Sequence, residues 1–172
     1  MLPILSSKRL ILRPFQLSDA AKVQELAGNK AVAEMTAHVP YPYLDGMAEE
    51  WILKHKDWFT NQQAVALAIE SIDLGELIGA ISITDIHAAT GDLGYWIGQP
   101  YWGRGYCTEA VNTLIGYAFD TFALDIIYAR HLISNPASGK VMTNNGFTYI
   151  KQSTIGDRLL KHYQLSKMQS HT

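Results

Sequence analysis

The sequence predicts a single α/β domain built on a mixed sheet, and three observations lead to this prediction. The chain has 172 residues, the usual size of one domain with one core. Hydrophobic residues make up 48% of it, so it can bury a substantial core and disorder is excluded as its main state. Strand-like and helical patterns follow one another in the order βα(α)βββαβαββ, which is typical of a mixed sheet. We therefore expect one domain over residues 1–172.

Near the N-terminus the pattern predicts one strand and two helices. Side chains alternate in character over residues 9–13, which indicates a strand, and Ser18 then stands at the N-cap position of a helix. After the Pro-Tyr-Pro-Tyr loop at 40–43, Asp45 is expected to cap a second helix whose apolar face extends over residues 47–59.

The next segment predicts three strands in quick succession. Residues 64–71 and 76–86 are strand-like runs separated by the turn composition of residues 72–75, so we expect an antiparallel hairpin. Gly91-Asp92 is expected to form the turn into a third strand over residues 93–97.

The C-terminal half begins with the strongest amphipathic helix of the chain. From Cys107 to Phe122, apolar residues recur at intervals of three and four. The remaining predicted elements are a strand, a short helix ended by a glycine and two further strands: 125–133, 136–145 with Gly146, 147–154 and 158–166.

Charge and composition exclude several classes of protein. Lys and Arg number 14 against 16 Asp and Glu, and the formal net charge of -2 gives no broad electrostatic reason to bind nucleic acid or an anionic membrane. The longest apolar run, residues 64–69, is far too short to span a bilayer. No basic region precedes the few apolar residues at the start, so we expect no secretory signal and a cytoplasmic protein. Cys107 is the single cysteine and cannot form an internal disulfide.

A glycine-rich segment, Gly98–Tyr106, lies between a strand and the strongest helix, where a phosphate-binding loop has to be placed. Glycines accept positive φ, which lets consecutive backbone N–H groups converge on one anion, and the positive end of the following helix adds to the attraction. The residue types match neither a Walker nor a Rossmann loop, because Gly103 is followed by Arg104-Gly105 and no third glycine stands at position 108. A diphosphate would fit this segment, and a tight turn without ligand is the alternative.

The second notable motif, Asn135-Pro-Ala-Ser138, follows a strand and begins a helix. Taken alone, it favours a structural interpretation, with Asn135 as a good N-cap and Ser138 as a tolerated residue of the first turn. Its meaning changes when it is considered together with the glycine-rich segment.

Together, the two motifs and the order of elements resemble the GNAT superfamily of acyl-CoA-dependent N-acetyltransferases over nearly the whole chain. The sequence is most similar to the RimJ/RimL-type branch. Five segments in the right order carry the resemblance: Arg9-Leu-Ile-Leu-Arg13-Pro-Phe15 with Asp19-Ala20, Gly75-Glu-Leu-Ile-Gly79, Gly94-Tyr-Trp-Ile97, Tyr101-Trp-Gly-Arg-Gly-Tyr106 running into Thr108-Glu109-Ala110, and Asn135-x-x-Ser138 ending at Gly146-Phe147.

The resemblance implies an α/β (α+β) GNAT fold, with a mixed, mostly antiparallel sheet of about seven strands that is flanked by helices and splayed around an acetyl-CoA site. The strand Gly94–Ile97 would pair with the pantetheine arm, and the pyrophosphate would sit on the loop amides. The implied acetyl-CoA contacts are Tyr95, Trp96, Ile97, Trp102, Gly103, Arg104, Gly105, Tyr106, Asn135 and Ser138. Pro100 departs from the family pattern, which usually has Gln or Arg three residues before the first glycine; Gln99 stands one residue early. Whether Arg104 contacts phosphate or solvent stays open.

Acetyl transfer needs a neutral amine, a donor for the oxyanion and a proton for the departing thiolate. The family often assigns the last task to a tyrosine, but Met142 holds that position, so Ser138 is the expected acid. The resemblance further implies that a backbone amide near Ile97 polarises the carbonyl. Glu34, Asp85, His87 and water are equal candidates for the base.

Other residues were weighed as site residues. Cys107 lies in the first turn of a helix, where the dipole lowers a thiol pKa, so an acyl-cysteine intermediate is a minor alternative. The six histidines show no metal-binding spacing, and no metal is expected. For Trp51 and Trp58, a position in the core is favoured over a role in an acceptor pocket. The loop with Tyr41 and Tyr43 is the more favoured acceptor contact.

The sequence and the resemblance together predict an acetyl-CoA-dependent N-acetyltransferase, a monomer or homodimer without nucleic-acid or membrane partners. A protein N-terminal α-amine is the first choice of acceptor. With a pKa of about 8 it is roughly a tenth neutral at pH 7, whereas lysine needs roughly 3 kcal/mol more help to lose its proton. The alternatives are a small amine such as a drug, polyamine or metabolite, a non-catalytic acyl-CoA-binding module, and a generic phosphate-binding protein.

Overall fold

The computed structural model describes residues 1–170 and places helices on both faces of one sheet. The strands are β1 (Leu5–Ser6), β2 (Leu10–Arg13), β3 (Val65–Ser71), β4 (Glu76–His87), β5 (Thr90–Ile97), β6 (Ile126–Leu132), β7 (Thr148–Ile155) and β8 (Arg158–Ser166). The helices are α1 (Ala20–Ala27), α2 (Lys30–Glu34), α3 (Met47–Thr60), α4 (Tyr106–Thr121), α5 (Pro136–Asn144) and α6 (Lys167–Ser170).

The sheet of residues 1–170 has eight strands in the order β1-β2-β3-β4-β5-β6-β8-β7. Every neighbouring pair is antiparallel except β5 and β6, which are parallel, so the mixed and mostly antiparallel sheet is confirmed. The strand beyond the expected seven is β1, whose two residues are too few to show a period-2 pattern. The five-residue helix α2 also escaped the sequence analysis, because it is shorter than two helical turns.

Two hydrophobic clusters lie on opposite faces of the sheet. On one face α4 buries a stripe of residues, Ala110, Val111, Leu114, Ile115, Ala118 and Phe119, against the central strands. The other face is covered by α1 and α3, and its cluster includes Phe15, Val23, Leu26, Ile52 and Trp96. Because successive side chains of a strand point to opposite faces, β5 contributes to both clusters.

The starts of α1 and α3 differ from the expected caps. Ser18 is exposed inside a 3-10 turn, and the chain enters α1 after Asp19, whose carboxylate accepts the Gln16 backbone N–H at 2.7 Å. The residue before α3 is Gly46, with φ +87°, a conformation that glycine adopts without strain. Asp45 does not cap α3; it accepts a hydrogen bond from the Gln24 side chain at 2.8 Å.

The turn between β4 and β5 was also placed wrongly by the sequence. Gly91-Asp92 lies within β5, and the chain reverses at Ala88-Ala89, where both residues have positive φ of 50° and 62°. Alanine gives no turn signal, so composition could not reveal this reversal. As a consequence Asp92 lies on the sheet, facing the cleft described next.

Candidate active site

A cleft of about 1440 Å³ opens where β5 and β6 separate. The two strands pair only over Thr90–Leu93 and Ile126–Ala129 and then diverge. On the β6 side, the backbone of β5 from Gly94 to Ile97 therefore has no strand partner, and an extended ligand can pair with such an edge. The Ile97 carbonyl at the end of this edge accepts the indole N–H of Trp102 at 2.6 Å, which holds Trp102 at the mouth of the cleft.

The glycine loop lies at one end of the cleft, directly before α4. Gly103 and Gly105 both adopt left-handed backbone conformations, with φ of +76° and +78°. Within residues 1–170, the backbone N–H groups of Gly103, Arg104 and Gly105 donate to no acceptor. They stand at the N-terminus of a 16-residue helix, whose dipole favours an anion there.

The departure at the start of this loop is visible in the structure. Pro100 belongs to a 3-10 turn over Gln99–Tyr101, and the Gln99 side chain accepts a hydrogen bond from Asn29 at 2.9 Å. Gln99 is thus engaged by the segment before α2. The loop therefore has no free glutamine side chain at its start, and its backbone N–H groups are the donors that it presents to an anion.

Arg9 buttresses the loop from the first strand pair. Its guanidinium pairs with Glu109 of α4 at 2.7 Å, donates to the Arg104 carbonyl at 2.9 Å and lies 4.6 Å from the centre of the Tyr106 ring. Burial alone would raise the pKa of Glu109, but hydrogen bonds from Ser7 and Arg9 outweigh it and lower that pKa. Arg104 itself is exposed at the rim. The sequence analysis quoted Arg9 only as part of a motif and missed this role.

Ser138 and Tyr95 meet across the opening in the sheet. The Tyr95 hydroxyl lies 2.7 Å from Ser138 Oγ and 3.1 Å from the Ser138 carbonyl oxygen. Burial raises the pKa of Tyr95 well above its usual value, so the phenol stays protonated and can donate. The sequence analysis named both residues but did not foresee that they form a pair.

Asn135 has the structural role that the sequence indicated for it. Its side-chain oxygen accepts the Ser138 backbone N–H at 3.3 Å and caps α5, while its amide donates to the Met35 carbonyl at 3.1 Å. A hydrogen bond from Asn135 to a pantetheine arm therefore stays a prediction. Met142 is buried on α5 and offers no acid, as expected from its residue type.

Trp96 and Cys107 modify the expected picture. The Trp96 indole packs in the cluster of α1 and α3, so its contribution to an edge on the β6 side comes from its backbone. Burial raises the pKa of the Cys107 thiol to about 12, the opposite of the lowering expected from the helix dipole. A thiol with so high a pKa is a poor nucleophile at neutral pH, which disfavours an acyl-cysteine intermediate.

The other side of the opening carries a carboxylate pair. Asp85 lies at an irregularity of β4 with φ +50°, and Asp92 faces the cleft from β5. The pKa of Asp92 is raised, first by burial and then by the negative charge of Asp85, although Arg130 opposes the shift. Of the three side-chain base candidates, Asp85 lines the cleft, whereas Glu34 and His87 are exposed outside its lining.

Aromatic residues close the cleft on the α3 side. Trp51 and Trp58 are half-buried, line the cleft and also pack around the buried His55, so they serve the core and the cleft together. Tyr43 lines the cleft, but Tyr41 is exposed outside its lining.

The described residues contain neither a metal-binding cluster nor a membrane-spanning helix. In residues 1–170, no group of three or more His, Cys, Asp or Glu side chains is placed to hold a metal ion. Nor does this part of the chain contain a helix whose length and apolar character would let it cross a membrane.

Comparisons with known proteins agree with this geometry. The sequence profile of the acetyltransferase (GNAT) domain matches residues 9–148. The uncharacterized N-acetyltransferase p20 of Bacillus licheniformis is 28% identical over 170 residues, which cover 94% of each chain. The ribosomal-protein-serine acetyltransferase of Escherichia coli is 32% identical over 74 residues, 42% of this chain and 41% of that protein. The solved structure of RimL, a ribosomal L7/L12 alpha-N-protein acetyltransferase in complex with coenzyme A, has the same fold, with a TM-score of 0.84 at 18% identity over 95% of this chain and 98% of that one.

A sheet that splays beside a glycine loop at the start of a long helix defines an acyltransferase of the acyl-CoA-dependent kind, and the profile match extends over most of the chain. The chain belongs to the GNAT acetyltransferase family. It is an N-acetyltransferase that takes acetyl-CoA as its co-substrate.

Proposed function

We propose that the chain acetylates the N-terminal α-amine of a protein by direct transfer from acetyl-CoA. The observation that carries this proposal is the opening between β5 and β6, which connects the free loop amides, the Tyr95–Ser138 pair and the carboxylates of the opposite face. The names of two relatives, the ribosomal-protein-serine acetyltransferase and RimL, support a protein acceptor.

The loop fits a diphosphate in three respects. Within residues 1–170 the N–H groups of Gly103, Arg104 and Gly105 are unpaired, although that of Trp102 donates to the Gln99 carbonyl at 3.2 Å. The unpaired groups lie at a helix N-terminus, and a side chain added at Gly103 would meet no atom within 4 Å. Arg104 and Lys140 both line the cleft and bring positive charge to it. We assign the diphosphate to the backbone of Gly103 to Tyr106, and the pantetheine arm to the free edge of Gly94–Ile97.

Ser138 is assigned the proton-donating role toward the leaving sulfur. When the amine nitrogen bonds to the acyl carbon, the carbon–sulfur bond breaks and the thiolate needs a proton. The single hydrogen of the Tyr95 hydroxyl can be accepted by the Ser138 carbonyl at 3.1 Å or by Ser138 Oγ at 2.7 Å, and in the second arrangement the serine hydrogen is free to point toward sulfur. Tyr95 therefore orients the donor.

The attacking amine approaches from the other face of the sheet, where Asp85 and Asp92 lie. A carboxylate with a raised pKa is a better proton acceptor than an ordinary one, and Asp92 has this property. Its task is easier with an α-amine than with lysine, because the α-amine loses its proton near neutral pH.

An acceptor panel with labelled acetyl-CoA tests the proposal. The panel contains peptides with free N-termini, the same peptides with a blocked N-terminus and an internal lysine, and small amines including polyamines. We expect label on the free N-termini alone. Label on small amines alone would reject the protein acceptor, and coenzyme A binding without any acetylation would favour a non-catalytic binding module.

A further inference from the structure

The face of the sheet beyond the opening carries a row of cationic side chains. Arg130 on β6 lies opposite His162 on β8, which lies opposite Lys151 on β7. Directly opposed residues point to the same face, and neighbouring strands are about 4.8 Å apart, so the three side chains form one row across the sheet. All three line the cleft.

This cationic row, Arg130, His162 and Lys151, has no anionic partner of its own. Within residues 1–170, neither Arg130 nor Lys151 lies within 4.0 Å of a carboxylate oxygen. The pKa of His162 is lowered, first by burial and then by the positive charges of Lys151 and Arg130, so at neutral pH the positive charge of the row comes from Arg130 and Lys151. The same Arg130 charge helps to lower the pKa of His38 at the rim. The row therefore repels further positive charge and favours an anion.

The carboxylate pair stands at a definite place relative to this row. Asp92 of β5 lies opposite Tyr128 of β6, and Arg130 is two residues further along that strand. A rise of about 3.3 Å per residue and a strand spacing of about 4.8 Å put the backbones of Asp92 and Arg130 about 8 Å apart. Lys151 lies two strands further, about 10 Å beyond Arg130.

The cleft thus has an anionic pole at the opening of the sheet and a cationic pole beside it. An extended peptide advances about 3.3 Å per residue, so a chain whose α-amine lies at Asp85 and Asp92 places its third residue beside Arg130 and its fifth or sixth residue beside Lys151. Glu50 and Lys54 of α3 also line the cleft, but their charges are opposite and leave this polarity in place.

We infer that the cationic row is an acceptor subsite that selects protein N-termini with acidic side chains at their third to sixth residues. This inference rests on the proposed function, since it names the class of N-terminus that the enzyme takes. The ion pairs between the acidic side chains of the acceptor and the cationic row would be charge-assisted and partly exposed to solvent, so they should weaken as salt is added.

Two matched peptides test the subsite. One carries Asp and Glu at positions 3 to 6 behind an N-terminal Ser, and the other carries Asn and Gln at the same positions. The variants are Arg130→Gln and Lys151→Gln, and Lys161→Gln is the control, because it removes the same charge from β8 at a position outside the cleft lining. Initial-rate kinetics give the acetylation rate of each peptide, and calorimetry measures the direct binding of each peptide to the coenzyme A complex.

We expect wild type to prefer the acidic peptide in kcat/KM by about tenfold, the usual size of one charge-assisted contact. Arg130→Gln and Lys151→Gln should each reduce this preference without changing the KM for acetyl-CoA, and Lys161→Gln should retain it. Equal kcat/KM for the two peptides, or a preference that survives both substitutions, would overturn the subsite. Charge-dependent binding without turnover would reject the proposed function and retain the subsite, and binding of neither peptide would reject both.

Discussion

A comparison of substitutions at Gly103 and Gly46 separates the contribution of the loop backbone to acetyl-CoA binding from the effect of backbone strain on stability. Both have positive φ, +76° and +87°, and a side chain added at either would meet no atom within 4 Å. A β-branched residue should therefore destabilise the fold similarly at both positions, by about 1–2 kcal/mol. They differ in place, since Gly103 lies in the loop before α4 and Gly46 precedes α3.

We predict that Gly103→Val raises the KM for acetyl-CoA at least about tenfold, because a branched side chain turns the loop amides away from the diphosphate. Gly46→Val should leave this KM unchanged while lowering the free energy of unfolding by a similar amount. Steady-state kinetics and urea denaturation of both variants provide the check. A KM that rises equally in both would mean that strain alone weakens the enzyme.

The Tyr95–Ser138 contact makes a second prediction about single residues. Ser138→Ala should lower kcat about 10²-fold, the lower end of what a general acid contributes, and leave the KM for acetyl-CoA nearly unchanged. Tyr95→Phe should lower kcat less, because the serine remains. Ser134→Ala is the control, an exposed serine that also lines the cleft. If Ser138→Ala has the wild-type kcat, the acid is another group.

Candidate site residues could be predicted from the sequence where the local structure requires a particular residue type. Residues whose role depends on contacts with distant parts of the chain could not be predicted. Gly103, Gly105 and Asn135 were located because a left-handed turn and a helix cap need those residue types. Arg9 supports the loop through Glu109, a residue 100 positions away in the sequence. Asp92 faces the cleft because the chain reverses at a turn that composition does not mark.

At the scale of elements, long periodic segments were predicted well and short ones were not. The helix α4 and the hairpin of β3 and β4 match their predicted ranges to within one residue, because many side chains repeat one pattern. The strand β1 and the helix α2 consist of two and five residues, and their existence is decided by the neighbours on which they pack.

Helix α3 carries an unusual buried group, His55. Only 3% of its surface is exposed, both ring nitrogens lack a hydrogen-bond partner, and burial lowers its pKa to about 4. Because the unfolded chain takes up this proton near pH 6.5 and the folded chain only near pH 4, the stabilising effect of neutral His55 is present above pH 6.5 and is lost as the pH falls.

We predict that this histidine lowers the free energy of unfolding of the wild type by about 2 kcal/mol between pH 7 and pH 5. His55→Leu should abolish that part of the pH dependence and be at least as stable at pH 7, since no polar group is left buried without a partner. Urea denaturation at the two pH values measures both effects. The exposed His87→Gln serves as the control and should keep the wild-type response; a His55→Leu protein with that same response would contradict the assignment.

For the whole molecule, the two faces of the sheet divide the work. The face of α4 and α5 holds the loop amides and Ser138, and the face of α1 and α3 holds the carboxylates, where the proposed function puts the acceptor. Within the described part of the sheet, the gap between the diverging strands β5 and β6 connects the two faces. The sequence predicted the mixed sheet, but the polarity of the acceptor side follows from strand register, which one sequence does not reveal.

Coenzyme A binding should stabilise the whole fold, because in the proposed complex the ligand bridges β5, the loop and α5. At a concentration 100 times its Kd, a ligand adds about 2.7 kcal/mol. For a chain of this size that corresponds to a rise in Tm of roughly 5–10 °C. ATP, which lacks the pantetheine arm, should shift the Tm much less at the same concentration. Equal shifts in a thermal denaturation assay would indicate a generic phosphate site.

The most direct measurement is a crystal structure of the chain with acetyl-CoA. The diphosphate is expected on the backbone N–H groups of Gly103 to Tyr106, the pantetheine along Gly94–Ile97, and the thioester sulfur within hydrogen-bond reach of Ser138 Oγ. Coenzyme A bound away from this loop, or a thioester on the far side of the sheet from Ser138, would contradict the mechanism.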